Sequence, residues 1–401
     1  MAPAGSVPTG RSVSSMPPAG AALPAVRRLT LTDFRCYGRL RLEVAPTPVV
    51  LTGPNGAGKT NVLEALSLLT PGRGLRAARL AEITRHGAES GAWAVAATLD
   101  TADGPVTLGS GLIAAPGGEG APDRRVVRIN GETARGQTAL GRHVGALWLV
   151  PAMDGLFRDG SGGRRRFLDR LVQALDPDHA GRCAAHAHAL RERGRLLREG
   201  RGGGREATWL DALEDTLARH GVAIAAARRD LVARLSAALG EADGPFPRAA
   251  LALEGAAEEA LDHQPALAVE DWLREAMATR RMADAEAGGS TGLGPHRADL
   301  LVRHVGRDRP AGQCSTGEQK AVLIAVVLAQ ARVVMAARGG APLLLLDEVV
   351  AHLDATRRAA LAETLAGLGA QAWLTGTDTA LFDAFVGRAQ FLRLDDGNLV
   401  D

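Results

Sequence analysis

Residues 53–60 of this 401-residue chain, Gly53, Pro54, Asn55, Gly56, Ala57, Gly58, Lys59 and Thr60, limit what it can fold into more than any other stretch. They match G-x-x-x-x-G-K-[ST] at every fixed position. Val49, Val50 and Leu51 read as a β-branched strand before them, and residues 62–69 as an apolar helix after them. A strand, a glycine-rich turn and a helix in that order form a phosphate cradle. The glycines let backbone N–H groups converge on phosphate oxygens, and the helix N-terminus adds its dipole. Lys59 is expected to reach the β- and γ-phosphates of ATP, and Thr60 to give its hydroxyl to Mg²⁺. A glycine-rich turn without a ligand is the plain alternative.

The rest of the chain weighs against that alternative. Leu343, Leu344, Leu345 and Leu346 read as a strand covered on both faces, followed by Asp347 and Glu348. Ligands of open α/β sheets bind at the C-terminal edge of such strands. Asp347 is therefore expected to hold Mg²⁺ and Glu348 to polarise the attacking water, which makes Lys59, Asp347 and Glu348 the candidate catalytic set. Between the two motifs, Ser315, Thr316, Gly317, Glu318 and Gln319 open another apolar helix. They resemble the signature segment of ABC-type ATPases, which meets the γ-phosphate held by a second subunit. An ordinary capping box from Ser315 to Glu318 explains the same residues without a ligand. Asp354 lies at the spacing of that family's D-loop, and residues 375–378 stand where its switch histidine would be. No histidine is found there, and no convincing glutamine in 147–154, which opposes a transporter subunit.

Composition adds a little. Net charge is +2, apolar residues make up 46%, and the three cysteines, Cys36, Cys183 and Cys314, show no metal-ligand spacing along the chain. A reducing cytoplasm fits them. No unbroken apolar run reaches the roughly 18 residues that span a bilayer. The chain has only two lysines, Lys59 and Lys320, against arginine everywhere else. Both lie in the nucleotide motifs, where a compact ammonium differs from a planar guanidinium.

The expected organisation is a disordered tail over 1–25 and the first half of an α/β head over 26–155. An inserted helical arm over 156–289 and the second half of the head over 290–401 complete it. Strands are expected near 28–34, 40–44, 92–99, 126–130, 147–150, 249–253, 300–305, 373–375 and 391–394, with a hairpin turn at Asn130-Gly131. Helices are expected at 167–175, 179–199, 205–239, 271–282, 318–337 and 356–368. The two long arm helices should fold back on each other at the glycines of 200–204. Trp209, Leu213 and Leu217 should share one face.

The ordered set of motifs resembles the RecF family, DNA recombination and repair ATPases related to the heads of Rad50 and the SMC proteins. The resemblance rests on residues 31–37, on 53–64, on 160–166 leading into Phe167, Leu168 and Asp169, on Gly294, Pro295, His296, Arg297 and Asp299, and on the signature and acid motifs. It covers about residue 26 to the end. It implies an ABC-type ATPase head, a P-loop α/β fold of mixed sheet and flanking helices with an inserted helical arm, and adds Arg35 and Asn61 to the ATP-binding residues. It implies an ATP-induced homodimer in which Lys59 of one subunit and Ser315 of the other clamp each nucleotide, with slow hydrolysis timing release. It further implies binding to duplex, gapped or single/double-strand junction DNA, and RecR, RecO and RecA as partners, without a membrane.

Arg164, Arg165, Arg166, Arg191, Arg193, Arg195, Arg198, Arg201 and Arg205 make the early arm locally basic, and phosphate contacts from them would bind DNA without reading its sequence. A solvated helix face with Glu192 and Glu199 as partners is the structural alternative. Aromatic residues, at 3%, are too few for extended stacking on single strands. An ATP-gated scaffold without significant hydrolysis, or another SMC- or Rad50-like head, are the competing functions.

Overall fold

The computed structural model describes residues 24–113, 124–200, 205–241 and 244–400. In chain order, β1 (Ala25–Phe34), β2 (Tyr37–Glu43) and β3 (Val49–Thr52) lead to α1 (Lys59–Ser67) and the short α2 (Leu80–Ile83). Then come β4 (Trp93–Thr101), β5 (Gly104–Leu112), β6 (Arg125–Ile129), β7 (Glu132–Thr133) and β8 (Ala146–Leu149). Helices α3 (Ser161–Leu175), α4 (His179–Arg198) and α5 (Arg205–Gly240) precede β9 (Ala249–Glu254), α6 (Ala256–His263), α7 (Ala266–Thr279) and α8 (Arg281–Glu286). The last part holds β10 (Asp299–His304), β11 (Arg309–Pro310), α9 (Thr316–Arg338), β12 (Leu343–Leu346), α10 (Ala355–Leu368), β13 (Ala372–Gly376), β14 (Gln390–Asp395) and β15 (Asn398–Val400).

The central sheet runs β15-β14-β3-β13-β12-β8, parallel from β14 to β8, with β15 antiparallel at the edge. Every residue of β3, β8, β12 and β13 is buried, as expected of strands covered on both faces. An antiparallel sheet, β2-β1-β4-β5-β6-β7, packs beside it, and its strands alternate buried and exposed positions. Asn130 and Gly131, both at positive φ, make the expected two-residue turn between β6 and β7. Helix α9 is long and apolar enough to cross a bilayer, yet most of it is buried inside the fold.

Packing divides the segment expected to be an arm. One core joins both sheets with α3, the second half of α5 through Leu231, Leu235 and Leu239, and Leu300 and Val302 of β10. A separate small core holds α4, the first half of α5 and α7, through Ala189, Leu217, Val222, Val269 and Leu273. Leu196 and Leu197 meet Leu210 further out, so α4 and α5 run antiparallel as expected. Leu217 and Leu213 face that core, but Trp209 is 48% exposed and lies against the Arg195 guanidinium. A single helix read over 271–282 is α7 followed by α8, and α6 and β5 were not foreseen. The tail to residue 23, Arg201, and the side chain of Arg205 lie outside the described residues.

Candidate nucleotide site

The phosphate loop leaves β3 and enters α1 through Gly58, which caps the helix with its backbone alone and at φ 99°. A side chain at Gly58 would overlap the Tyr37 hydroxyl and Cys36 Sγ, so glycine is required by space as well as by φ. No side chain caps the first turn, where the Asn61 and Val62 amides bond Gly58 O and the amides before them are the ones left for an anion. Lys59 Nζ donates to the carbonyls of Gly53 (2.7 Å) and Pro54 (2.8 Å), which folds the ammonium over its own loop. Burial pulls the Lys59 pKa below its ordinary value, while Glu348 and Asp347 oppose that shift.

The sheet brings the acid pair to this loop. β12 pairs with β8 in register Leu346 to Leu149, and the Asp347 amide extends that ladder to Leu149 O at 2.8 Å. The Asp347 carboxylate, 4% exposed, accepts from Thr60 Oγ1 at 2.9 and 3.0 Å and from Thr375 Oγ1 at 2.7 Å. Thr375 Oγ1 in turn accepts from the Glu348 amide at 2.9 Å. Glu348 stands at φ 54°, a left-handed backbone that a residue with a Cβ adopts at a cost. The Thr375 hydroxyl thus ties the two acids together across β13. The switch position sought at 375–378 therefore holds a threonine bridge, while Asp378 only caps the turn at Ala380 N. Thr60 and Asp347 offer hard oxygen donors side by side, the set Mg²⁺ prefers.

Arg35 stands at the base of α1 and makes a bidentate pair with Glu64, 2.9 and 2.6 Å, and donates to Glu82 O. Arg76 donates to Glu64 Oε2, which Arg35 Nε also meets, and to Asn61 Oδ1, both at 2.8 Å. Two guanidiniums on one buried carboxylate thus flank the loop. Arg76 and Thr375 were missed as site residues. Thr375 carried a signal, a hydroxyl at the end of an otherwise apolar strand, whereas nothing local marks Arg76.

The signature residues open α9. Ser315 Oγ accepts from Glu318 N, and Glu318 reaches back to the Ser315 amide, so the capping box is present. Bonds from the Ser315 amide and hydroxyl, and then Arg307, hold the Glu318 carboxyl down to about 2. Ser315, Thr316 and Gly317 are exposed, with nothing near the Gly317 Cα, while Gln319 is buried and donates to Cys314 O at 2.7 Å. Asp354 caps α10 by accepting from Arg357 N at 2.8 Å.

The arginines expected on DNA separate sharply. Arg193 is 1% exposed and held by Glu214, Asp284 and Met277 O. Its side chain therefore cannot reach a nucleic acid, because it is a structural cation inside the arm. Arg164 pairs with Asp299, Arg165 donates to Ala298 O, and Arg195 lies between Glu192 and Glu199 as the helix-face alternative predicts. Arg198 is exposed and donates to Gly288 O, while Arg166 and Arg191 are exposed. Pro295 O accepts from Arg228, which also holds Asp169 bidentately, and the His296 ring lies 5.7 Å from that of His186. The 294–297 loop is thus tied to α4 and α5. Cys183, far from the other two cysteines in sequence, lies within reach of His179, four residues before it, and of Asp169. Arg228 occupies both Asp169 oxygens, and the 2.9 Å His179–Asp169 contact is a hydrogen bond, so this cluster does not suit a cation.

The family described as the RecF/RecN/SMC N-terminal domain matches residues 25–384. The chain is 50% identical over 376 residues to the DNA replication and repair protein RecF of Mesorhizobium japonicum, covering 93% of this chain and 97% of the relative. It is 48% identical over 379 residues to RecF of Brucella suis, with 94% and 96% covered. Among solved structures it is similar to the recombination mediator protein RecF with ATP of the RecFOR pathway, at TM-score 0.80 and 20% identity over 96% of this chain and 99% of that one. An Smc head domain of Pyrococcus furiosus bound to part of ScpA matches at TM-score 0.50 and 16% identity, over 94% and 96%.

Proposed function

The chain belongs to the RecF family of DNA replication and repair proteins, and we propose on that premise that it is a slow ATPase, two copies of which close their heads on DNA around two ATP molecules. The observation that carries this reading is the hydrogen-bonded run Thr60–Asp347–Thr375–Glu348, which fastens the acid pair to the phosphate loop. The Gly53–Thr60 loop binds the phosphates, with Lys59 leaving its two carbonyl partners to meet them. Glu348 orients and deprotonates the water, and Arg35 and Asn61 support the nucleotide side. Thr60 and Asp347 would hold Mg²⁺, which neutralises charge on the β- and γ-phosphates when bound. Ser315, Thr316 and Gly317, exposed at a helix N-terminus that Glu318 caps, would turn to the ATP of the second subunit as that cap gives way.

In this reading DNA, as duplex, gap or single/double-strand junction, lies on the closed dimer in the cytoplasm, faced by the exposed Arg166 and Arg191 and by Arg198, which also holds Gly288 O. The likeness to a RecF of the RecFOR pathway supports RecR and RecO as partners and help in loading RecA at gaps. Hydrolysis times release. Sedimentation of the wild type, Lys59→Ala and Glu348→Gln, with ATP and gapped duplex, tests this. The expected result is an ATP-dependent dimer on DNA that Lys59→Ala lacks and Glu348→Gln makes lasting. A wild type that stays monomeric with ATP overturns the clamp.

A further inference from the structure

Lys320, one of the chain's two lysines, lies in the first turns of α9 five residues after Ser315, and its ammonium is almost wholly buried. No hydrogen-bond acceptor meets Nζ among the described residues. The charge facing it is Asp154 Oδ1 at 3.5 Å. Asp154 ends a short turn that starts directly after β8, its amide donating to Pro151 O at 3.0 Å. β8 is the strand whose Leu149 carbonyl receives the Asp347 amide. Three residues beyond Asp154, the carbonyl of Phe157 abuts Gly312, where a Cβ would come within 2.5 Å of that oxygen. Gly312 is three residues before Ser315, and its carbonyl lies 3.5 Å from Gln319 Nε2. Residues 150–157 therefore start beside the acid pair and touch the signature segment at two points, an ion pair and a backbone contact.

A buried ammonium with a single carboxylate partner is held to that partner strongly, because leaving it bare in a low dielectric is costly. A glycine that admits a carbonyl allows no sliding of one loop over the other without a gap opening. The two contacts make the 150–157 segment a strut between sites that serve different nucleotides, since the acids act on the ATP of their own chain and the signature on that of the second subunit. We propose that Asp154 and Lys320, with the Phe157–Gly312 contact, are positioning residues that make the two ATP sites of the dimer act together. Asp154 closes the 147–154 stretch, which holds no glutamine. The inference rests on the clamp reading above.

The test compares wild type, Asp154→Asn, Asp154→Glu and Gly312→Ala. ATP affinity of the single chain is measured by calorimetry at low protein concentration, and dimerisation by sedimentation against ATP. The Hill coefficient of hydrolysis and thermal stability complete the set. Asp154→Asn leaves the Lys320 ammonium without its carboxylate, so thermal stability is read beside every assay, and Asp154→Glu keeps the charge. Neither position touches the phosphate loop, so single-chain affinity stays within about twofold of wild type. ATP-driven dimerisation weakens about tenfold or more in Asp154→Asn and Gly312→Ala, a loss of at least about 1.4 kcal/mol. The Hill coefficient falls toward 1, and Asp154→Glu restores most of both. A wild type that dimerises cooperatively, with Asp154→Asn and Gly312→Ala indistinguishable from it, overturns the inference and leaves the clamp standing. Loss of stability in Asp154→Asn without rescue of cooperativity by Asp154→Glu also overturns it. A wild type that stays monomeric in ATP overturns the clamp itself, and the inference with it.

Discussion

Replacing Thr375 by valine keeps the branched shape of a 1%-exposed side chain and removes only its hydroxyl. Two bonds disappear together, the donation to Asp347 at 2.7 Å and the acceptance from the Glu348 amide at 2.9 Å. A hydrogen bond to an ionised carboxylate is worth about 1.5–3 kcal/mol, and an amide left without an acceptor costs about 1–3 kcal/mol. Asp347 keeps its bonds from Thr60, and the Glu348 amide is only partly buried, so the two losses do not sum in full. We expect a net destabilisation of about 2–4 kcal/mol. The left-handed backbone at Glu348 adds a functional effect, since its amide is the group that Thr375 holds in that conformation. Without the hold, Glu348 relaxes, and hydrolysis falls while nucleotide binding by the phosphate loop persists. Urea unfolding without nucleotide measures the first part, with Thr375→Ser as the control that keeps the hydroxyl. Steady-state hydrolysis and nucleotide binding measure the second. A valine variant whose unfolding midpoint and hydrolysis both match the serine variant would refute the bridge as a support for the acids.

Three other perturbations separate buried from exposed cationic side chains. Burial first, and then the positive neighbours His296 and Arg228, push the His186 imidazole down to about 4 from an ordinary 6.5. The unfolded chain takes up this proton first as pH falls, so the contribution is complete above about 6.5 and is lost progressively toward pH 4. Urea stabilities between pH 7 and 4 should show a slope of up to about 1.4 kcal/mol per pH unit that His186→Gln removes; an unchanged slope refutes it. Arg193→Met removes the cation shared by Glu214 and Asp284, but Glu214 keeps Arg281, so the cost should lie at the lower end of the about 3–5 kcal/mol of breaking a buried pair. Arg191→Ala, on the exposed face of α4, should leave the unfolding midpoint unchanged and lower the slope of log affinity for DNA against log salt by about 0.9, the share of one phosphate that no longer has its arginine. A stable Arg193→Met, or an unaltered salt slope for Arg191→Ala, contradicts the sorting of these arginines.

How far a feature could be read from the chain depended on whether its cause is local. β3, β12 and β13 were visible because a strand covered on both faces must be apolar throughout. β5 was not, because Gly104-Pro105 opens it and Gly109 and Gly111 fill its exposed side, leaving little alternation to detect. The break between α7 and α8 falls at Arg280, with no glycine or proline to announce it. α6 failed for a similar reason: it is eight residues long, and its apolar face is nearly all alanine.

The nucleotide site divides in the same way. The glycines, Lys59 and Thr60 are dictated by backbone chemistry within eight residues, so any chain that cradles phosphate this way must display them together. The partners that hold them are distant in sequence: Thr60 meets Asp347 across 287 positions, and Arg35 meets Glu64 only after β1 and α1 have packed. The arginines show why composition could not stand in for that geometry. An arginine-rich helix has the same sequence whether its guanidiniums face solvent or carboxylates, and α4 contains both, with Arg191 exposed and Arg193 sealed two residues later. Helical periodicity alone puts neighbours two apart on opposite sides, about 200° around the axis. What decides the role of each is the acid that α5 and α8 bring to one side, Glu214 and Asp284, and that is information the arginines themselves do not carry. The sequence of α4 therefore counts its arginines, while its packing decides which of them face outward, Arg191 and not Arg193.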